Sequence, residues 1–232
     1  MEELFKKWQQ QYSFSAFIKD GIVDITKYEN PHVLFVLRDM NCSVPNDLRE
    51  SLRRDGSGAK TWCNIGRWAK ALLDKNEEYP YDMSPKKRIE QISRVAVINI
   101  KKEGGGPRSE GKKLISYAED QKELILEQIK ICNPDIIICC GQHGTLSNAE
   151  ILEQKVFGIN ARWDKIHSFS LPRDWWYFYM EINDKNIPII SFCHPQVTNL
   201  CGMRGHEALF KPLYKDMQMI GNKFLKTTEY NK

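Results

Sequence analysis

Four short apolar runs, each bounded by polar or turn-forming residues, punctuate the chain: HVLFVLR (32–38), RVAVINI (94–100), PDIIICCG (134–141) and IPIISFCH (187–194). All are strand-length and β-branched, without the strict alternation of a sheet that has one wet face. Each therefore predicts a strand buried on both sides of a parallel sheet. Between them the apolar positions recur at helical spacing. Leu114, Ala118, Ile125 and Ile129 share one face of a helix predicted over about 112–132, which Asn133-Pro134 stops. Further helices are predicted over 63–75, over 85–92 behind Ser84-Pro85, over 148–154 behind the capping box Ser147-x-x-Glu150, and over 205–226. The block WWYFYMEI (175–182) suits another strand or a covering segment, with core packing as its ordinary use. The alternation predicts an α/β fold: one three-layer α/β/α domain over 1–232, built on a central, mainly parallel four-stranded sheet, with residues 1–30 as an N-terminal helical extension.

Composition narrows the functional classes. At 232 residues and 41% hydrophobic, the chain has enough apolar material for a substantial core, and disorder is not expected. The seven cysteines are odd in number and include no CxxC pair, against both a disulfide framework and an iron–sulfur or zinc-ribbon spacing. No segment approaches the length of an apolar membrane span and the N-terminus lacks the apolar core of a leader, so a soluble, cytoplasmic protein is expected. The net charge is only +4, yet cations cluster at Arg49/Arg53/Arg54, at Lys86/Lys87/Arg88, and at Lys101/Lys102 followed by Arg108, Lys112 and Lys113. Such clusters are ordinarily solvated faces; they also suit a polyanion, which releases counterions on binding.

In an open parallel sheet, ligands bind beyond the carboxyl ends of the strands. The first run delivers Arg38-Asp39-Met40-Asn41, and the second delivers Asn99 and Lys101-Lys102 before the loop Gly104-Gly105-Gly106-Pro107-Arg108. The third delivers Gly141-Gln142-His143, and the fourth His194-Pro195. A carboxylate, an amide and an imidazole are thus expected at one crevice. Singly, each has a plainer use, as a cap, a turn residue or a core side chain.

Taken in order, these residues resemble the uracil-DNA glycosylase superfamily from about His32 to the last helix. Asp39 stands where the family positions its water, Ile98-Asn99-Ile100-Lys101-Lys102 is similar to its Asn-containing strand end, and NPDIIICCG matches its third strand. His194-Pro195, then Leu200 and Arg204-Gly205, resembles the family's His-Pro motif and intercalating loop if two extra residues precede Leu200. The resemblance implies a monofunctional DNA glycosylase that flips a pyrimidine from DNA and leaves an abasic site. Asp39 and His194 are then catalytic. Asn99 reads the base, and Asn41 and Trp62 border it, with Asn64 the alternative to Trp62. Lys101, Lys102, Arg108 and Arg204 contact phosphates, while Leu200 and Met203 fill the vacated stack.

One departure bears on substrate. Where classical uracil enzymes carry Asp-Pro-Tyr, this chain has Asp39-Met40-Asn41, so the tyrosine that screens the pyrimidine C5 position is absent. Some members of the superfamily are anti-phage enzymes that remove glucosylated 5-hydroxymethylcytosine, and the open C5 side makes that the expected substrate class. Uracil repair is the alternative. The expected partner is DNA, with no cofactor, no metal and a monomeric chain. Cys193, His194, Cys201 and His206 imitate a metal site but match no standard zinc spacing. Two rivals stand beside this reading: a non-catalytic DNA-binding or protein-interaction module on the same fold, and an unrelated doubly wound enzyme binding a phosphorylated small molecule at Gly104–Gly106. The latter is weak, because GGGP opens no Gly-x-Gly-x-x-Gly helix.

Overall fold

The computed structural model describes residues 1–58, 60–75, 77–105, 111–142 and 145–225. The chain opens with α1 (Glu2–Gln11) and the short strands β1 (Ile18–Lys19) and β2 (Gly21–Ile22). After β3 (Val33–Leu37) and β4 (Asn46–Asp47) come α2 (Leu48–Asp55), α3 (Lys60–Leu73) and α4 (Pro85–Ile92), leading to β5 (Ala96–Asn99). Then follow α5 (Gly111–Asp120), α6 (Lys122–Cys132), β6 (Ile136–Cys140) and α7 (Asn148–Ile151), which runs into a π-helical turn at Leu152–Val156. The chain continues through β7 (Asp164–His167), β8 (Asp174–Ile182), β9 (Lys185–Phe192), a second π turn at His206–Phe210, and α8 (Lys211–Phe224).

The main sheet has seven strands rather than four, in the order β2-β5-β3-β6-β9-β8-β7. The four predicted strands form its parallel centre, β5-β3-β6-β9, and the additions flank them in antiparallel pairing. The reason lies in burial. The central strands β3, β5 and β6 are buried at every position, whereas β8 alternates in part between buried Trp175, Tyr177 and Phe178 and exposed Trp176 and Tyr179. A run with one wet face does not read as a buried parallel strand.

Residue alternation along the strands sends side chains to two cores. Val33, Phe35 and Leu37 join Val97, Ile138 and Phe192 against side chains of α2, α3 and α8. Leu34 and Val36 join Ile98, Ile137 and Ile189 against α1, α5, α6 and α7. Helices therefore cover both faces of a mixed α/β sheet.

The helix predicted over 112–132 is two helices, interrupted at Gln121. The buried Gln121 accepts a 2.6 Å hydrogen bond from Trp8 Nε1, so α1 is fastened at the break. Residues 1–30 supply more than a helix, because β2 forms the antiparallel edge beside β5. Among the described residues no helix is long and apolar enough to cross a membrane.

Candidate active-site crevice

The connection leaving β3 passes through α2 to α4 on one face, while the one leaving β6 enters α7 on the other. Strand order reverses at this point, and open α/β sheets take their ligands beyond the carboxyl ends of the strands at such a reversal, here β3 and β6. Arg38-Asp39 and Gly141-Gln142 follow those two strand ends. Arg38 donates from Nε to Asn148 Oδ1 at 3.1 Å and from Nη2 to the Leu146 carbonyl at 3.1 Å. The buried Asn148 donates in turn to the Cys140 carbonyl at 2.8 Å, tying α7 to the end of β6. Gly141 has φ +136°, and a Cβ there would stand 3.3 Å from Asn148 Nδ2, so the clasp needs glycine.

Asn99 ends β5 opposite Leu37, which places Asp39 two residues beyond the paired register. The two chains continue side by side: Lys101 N donates to the Arg38 carbonyl at 2.9 Å and Gly105 N to the Met40 carbonyl at 2.8 Å. The glycine-rich loop is thereby laid against the Asp39 segment. A Cβ on Gly105 would approach Asp39 Oδ2 to 3.0 Å, and one on Gly104 would meet the Cys42 carbonyl oxygen at 2.0 Å. Gly104→Ala must displace backbone. It is expected to cost roughly 1–3 kcal/mol, read as a lower thermal midpoint, while Gly58→Ala, which meets nothing within 4 Å but is strained by its φ of +50°, is the strain-only control.

Asn99 is itself buried, 1% exposed, and held by a buried carboxylate. The fully buried Asp20 accepts from Asn99 N at 2.7 Å, from Asn99 Nδ2 at 3.1 Å, from Lys102 Nζ at 2.7 Å and from Gln128 Nε2 at 2.9 Å. Lys102 Nζ also donates to the Asn99 carbonyl at 2.6 Å and lies 5.2 Å from the Trp8 ring centre. Burial pushes the Lys102 ammonium below its usual range, and the Asp20 carboxylate opposes that shift. A carboxylate against Nδ2 fixes which way the Asn99 amide faces, because turning it over would set Oδ1 against a negative oxygen.

His194 lies two residues beyond the end of β9, and Gln196 N donates to its Nδ1 at 3.1 Å. In the neutral ring the proton then sits on Nε2, which becomes the donor. The His-Pro segment is docked on α3 by Asn64 Nδ2, which donates to the Pro195 carbonyl at 2.6 Å, and by Gln196 Nε2, which donates to Thr61 Oγ1 at 2.8 Å. Strands β3 and β9 are separated by β6, so the backbones that lead on to Asp39 and His194 leave the sheet two strand spacings, roughly 10 Å, apart.

The remaining candidates divide. Asn41 is exposed and bridges to Gly105; Arg204 is exposed; Lys101 lies 3.7 Å from Glu103. Lys102 cannot reach a phosphate, because its side chain is wholly buried in the Asp20 pair. Trp62, 7% exposed, belongs to the core beneath the sheet. Leu200 and Met203 close a tight turn, exchanging backbone hydrogen bonds at 3.1 and 2.9 Å, with φ +53° at Cys201 and +80° at Gly202. That turn packs Leu200 against the core and leaves Met203 as the exposed apolar side chain. Arg108 and His143 lie outside the described residues. Among the described residues no three His, Cys, Asp or Glu side chains are grouped to hold a metal.

Asp20, Gln128, Asn148 and Gln196 carried no signal in the sequence, since each acts through partners far away or through one backbone contact. Asn64 was legible only as the alternative to Trp62. The chain matches no protein-family model and no curated protein.

Proposed function

We propose that the protein is a monofunctional DNA glycosylase on a three-layer α/β/α domain of the uracil-DNA glycosylase kind, acting on a C5-modified cytosine such as glucosylated 5-hydroxymethylcytosine in phage DNA. The observation that carries the reading is the arrangement of chemically distinct groups at successive ends of the parallel strands: Asp39 after β3, Asn99 closing β5 and His194 after β9. Breaking an N-glycosidic bond develops positive charge on the sugar and negative charge on the departing base. The Asp39 carboxylate stabilises the first and orients the attacking water. His194, as the Nε2–H tautomer, donates to a pyrimidine oxygen and stabilises the second. Asn99 reads the polar edge of a base that has been flipped from the stack, and Arg204 and Lys101 hold flanking phosphates. DNA is the partner, and the reaction needs no covalent lysine.

The C5 preference rests on Asn41, exposed beside the Gly105 loop where a screening tyrosine would close the space. Duplexes carrying a single uracil, 5-hydroxymethylcytosine or glucosylated 5-hydroxymethylcytosine, treated with hot alkali after incubation, test both parts. Cleavage is expected at the glucosylated base. Asn41→Tyr should suppress it selectively; undiminished cleavage of bulky substrates by that variant overturns the C5 assignment.

A further inference from the structure

Lys60, Cys63, Asn64 and Arg67 fall at i, i+3, i+4 and i+7 along α3, on one helix face. That face forms a wall of a cleft of about 460 Å³, opposite Gln196 and His206 of the segment following β9. Among the described residues no acidic side chain lines it. Arg67 is only 8% exposed, and its guanidinium donates to three neutral oxygens: the Pro80 carbonyl at 3.1 Å, the Tyr81 carbonyl at 3.0 Å and Asn64 Oδ1 at 3.1 Å.

A second buried guanidinium stands behind the same wall. Arg88, 7% exposed, donates to the carbonyls of Gly56 at 3.0 Å, Met83 at 3.3 Å and Asp55 at 3.4 Å, and to Cys63 Sγ at 3.3 Å. Asp55, the acid whose charge Arg88 feels, spends its carboxylate on Arg54 and on Ser57 N. Among the described residues neither arginine has a carboxylate within ion-pair distance. Two buried cations without a counter-ion are costly unless an anion offsets them.

We infer that this cleft binds a phosphate group, held by Lys60 at the rim and Arg67 in the wall. A guanidinium has five N–H donors in a planar fork suited to phosphate oxygens, and only three of those on Arg67 are engaged in the bonds above. The phosphate comes either from a DNA backbone or from a free phosphate compound. The Asn64 bond to Pro195 sets the cleft directly beside the His194 loop, within reach of a strand lying in the crevice. The site stands independently of excision chemistry.

The test compares thermal midpoints in sodium phosphate and in sodium chloride at equal ionic strength, for the wild type, Lys60→Glu and Lys122→Glu. Lys122 is an exposed lysine on α6, across the sheet, and controls for charge reversal. The general stabilising action of phosphate on folded proteins cancels in the comparison between variants. Wild type and Lys122→Glu should gain from phosphate, and Lys60→Glu should lose most of that gain. A full gain in Lys60→Glu, or none in the wild type, overturns the site. Salt dependence of duplex binding then identifies the source. A logarithmic slope about 1 smaller in Lys60→Glu assigns a backbone phosphate, while an unchanged slope alongside a lost gain assigns a free one. A phosphate gain without base excision would refute the glycosylase reading alone.

Discussion

Asp39→Ala is expected to lower alkali-labile cleavage of a duplex carrying the susceptible base by roughly 10²–10³-fold, the usual effect of removing one preorganised charge stabiliser. The physical reason is position. Asp39 sits beyond the paired register of β3, its Oδ2 packed where a Cβ on Gly105 would come within 3.0 Å, and so it faces the loop rather than the core. Removing it should leave the fold intact, since the cores on both sides of the sheet draw on Leu37 and its predecessors instead. A thermal melt run beside the cleavage assay separates the two effects. Cleavage at wild-type rates by Asp39→Ala would take the carboxylate out of the reaction. Absence of cleavage by the wild type on every duplex, with DNA still bound, would favour a docking module.

Asp20→Ala should have the largest effect on stability. The substitution leaves the Lys102 ammonium buried without its carboxylate and strips an acceptor from Asn99 and Gln128. Breaking a buried pair on one side typically costs about 3–5 kcal/mol, which for a chain of this length is a fall of roughly 6–20 °C in thermal midpoint. Combining Asp20→Ala with Lys102→Met removes the orphaned charge and should recover a substantial part of the loss. A double variant no more stable than Asp20→Ala would show that the ion pair is not what the network contributes. Excision by the double variant should remain impaired, because Asn99 Nδ2 has then lost the carboxylate that orients it.

The strands that form the middle of the sheet were legible because a run such as Val33–Leu37 or Ile136–Cys140 is buried on both faces and so reads as an unbroken apolar stretch of strand length. The capping box at Ser147 and Glu150 was equally readable, since both halves lie within one turn; Ser147 Oγ accepts from Glu150 N at 3.2 Å and Glu150 Oε2 from Ser147 N at 2.7 Å. The outer strands were harder. Two-residue β2 has no pattern to read, and β8 shares its aromatic composition with any covering segment.

Local chemistry in the chain determined which residues stand at the strand ends, because an apolar run and the polar residue that stops it are neighbours in sequence. Asp39, Asn99, Gly141 and His194 were found on that ground alone. Which of the nearby side chains face the crevice was decided only by tertiary structure. Lys101 and Lys102 are adjacent and identical in sequence, yet the second turns inward to an aspartate from the N-terminal segment and the first does not. Trp62 and Asn64 lie two residues apart on α3, and rotation about the helix axis sends one into the core and the other to Pro195. Burial and long-range pairing set those choices, and neither acts between neighbours along the chain.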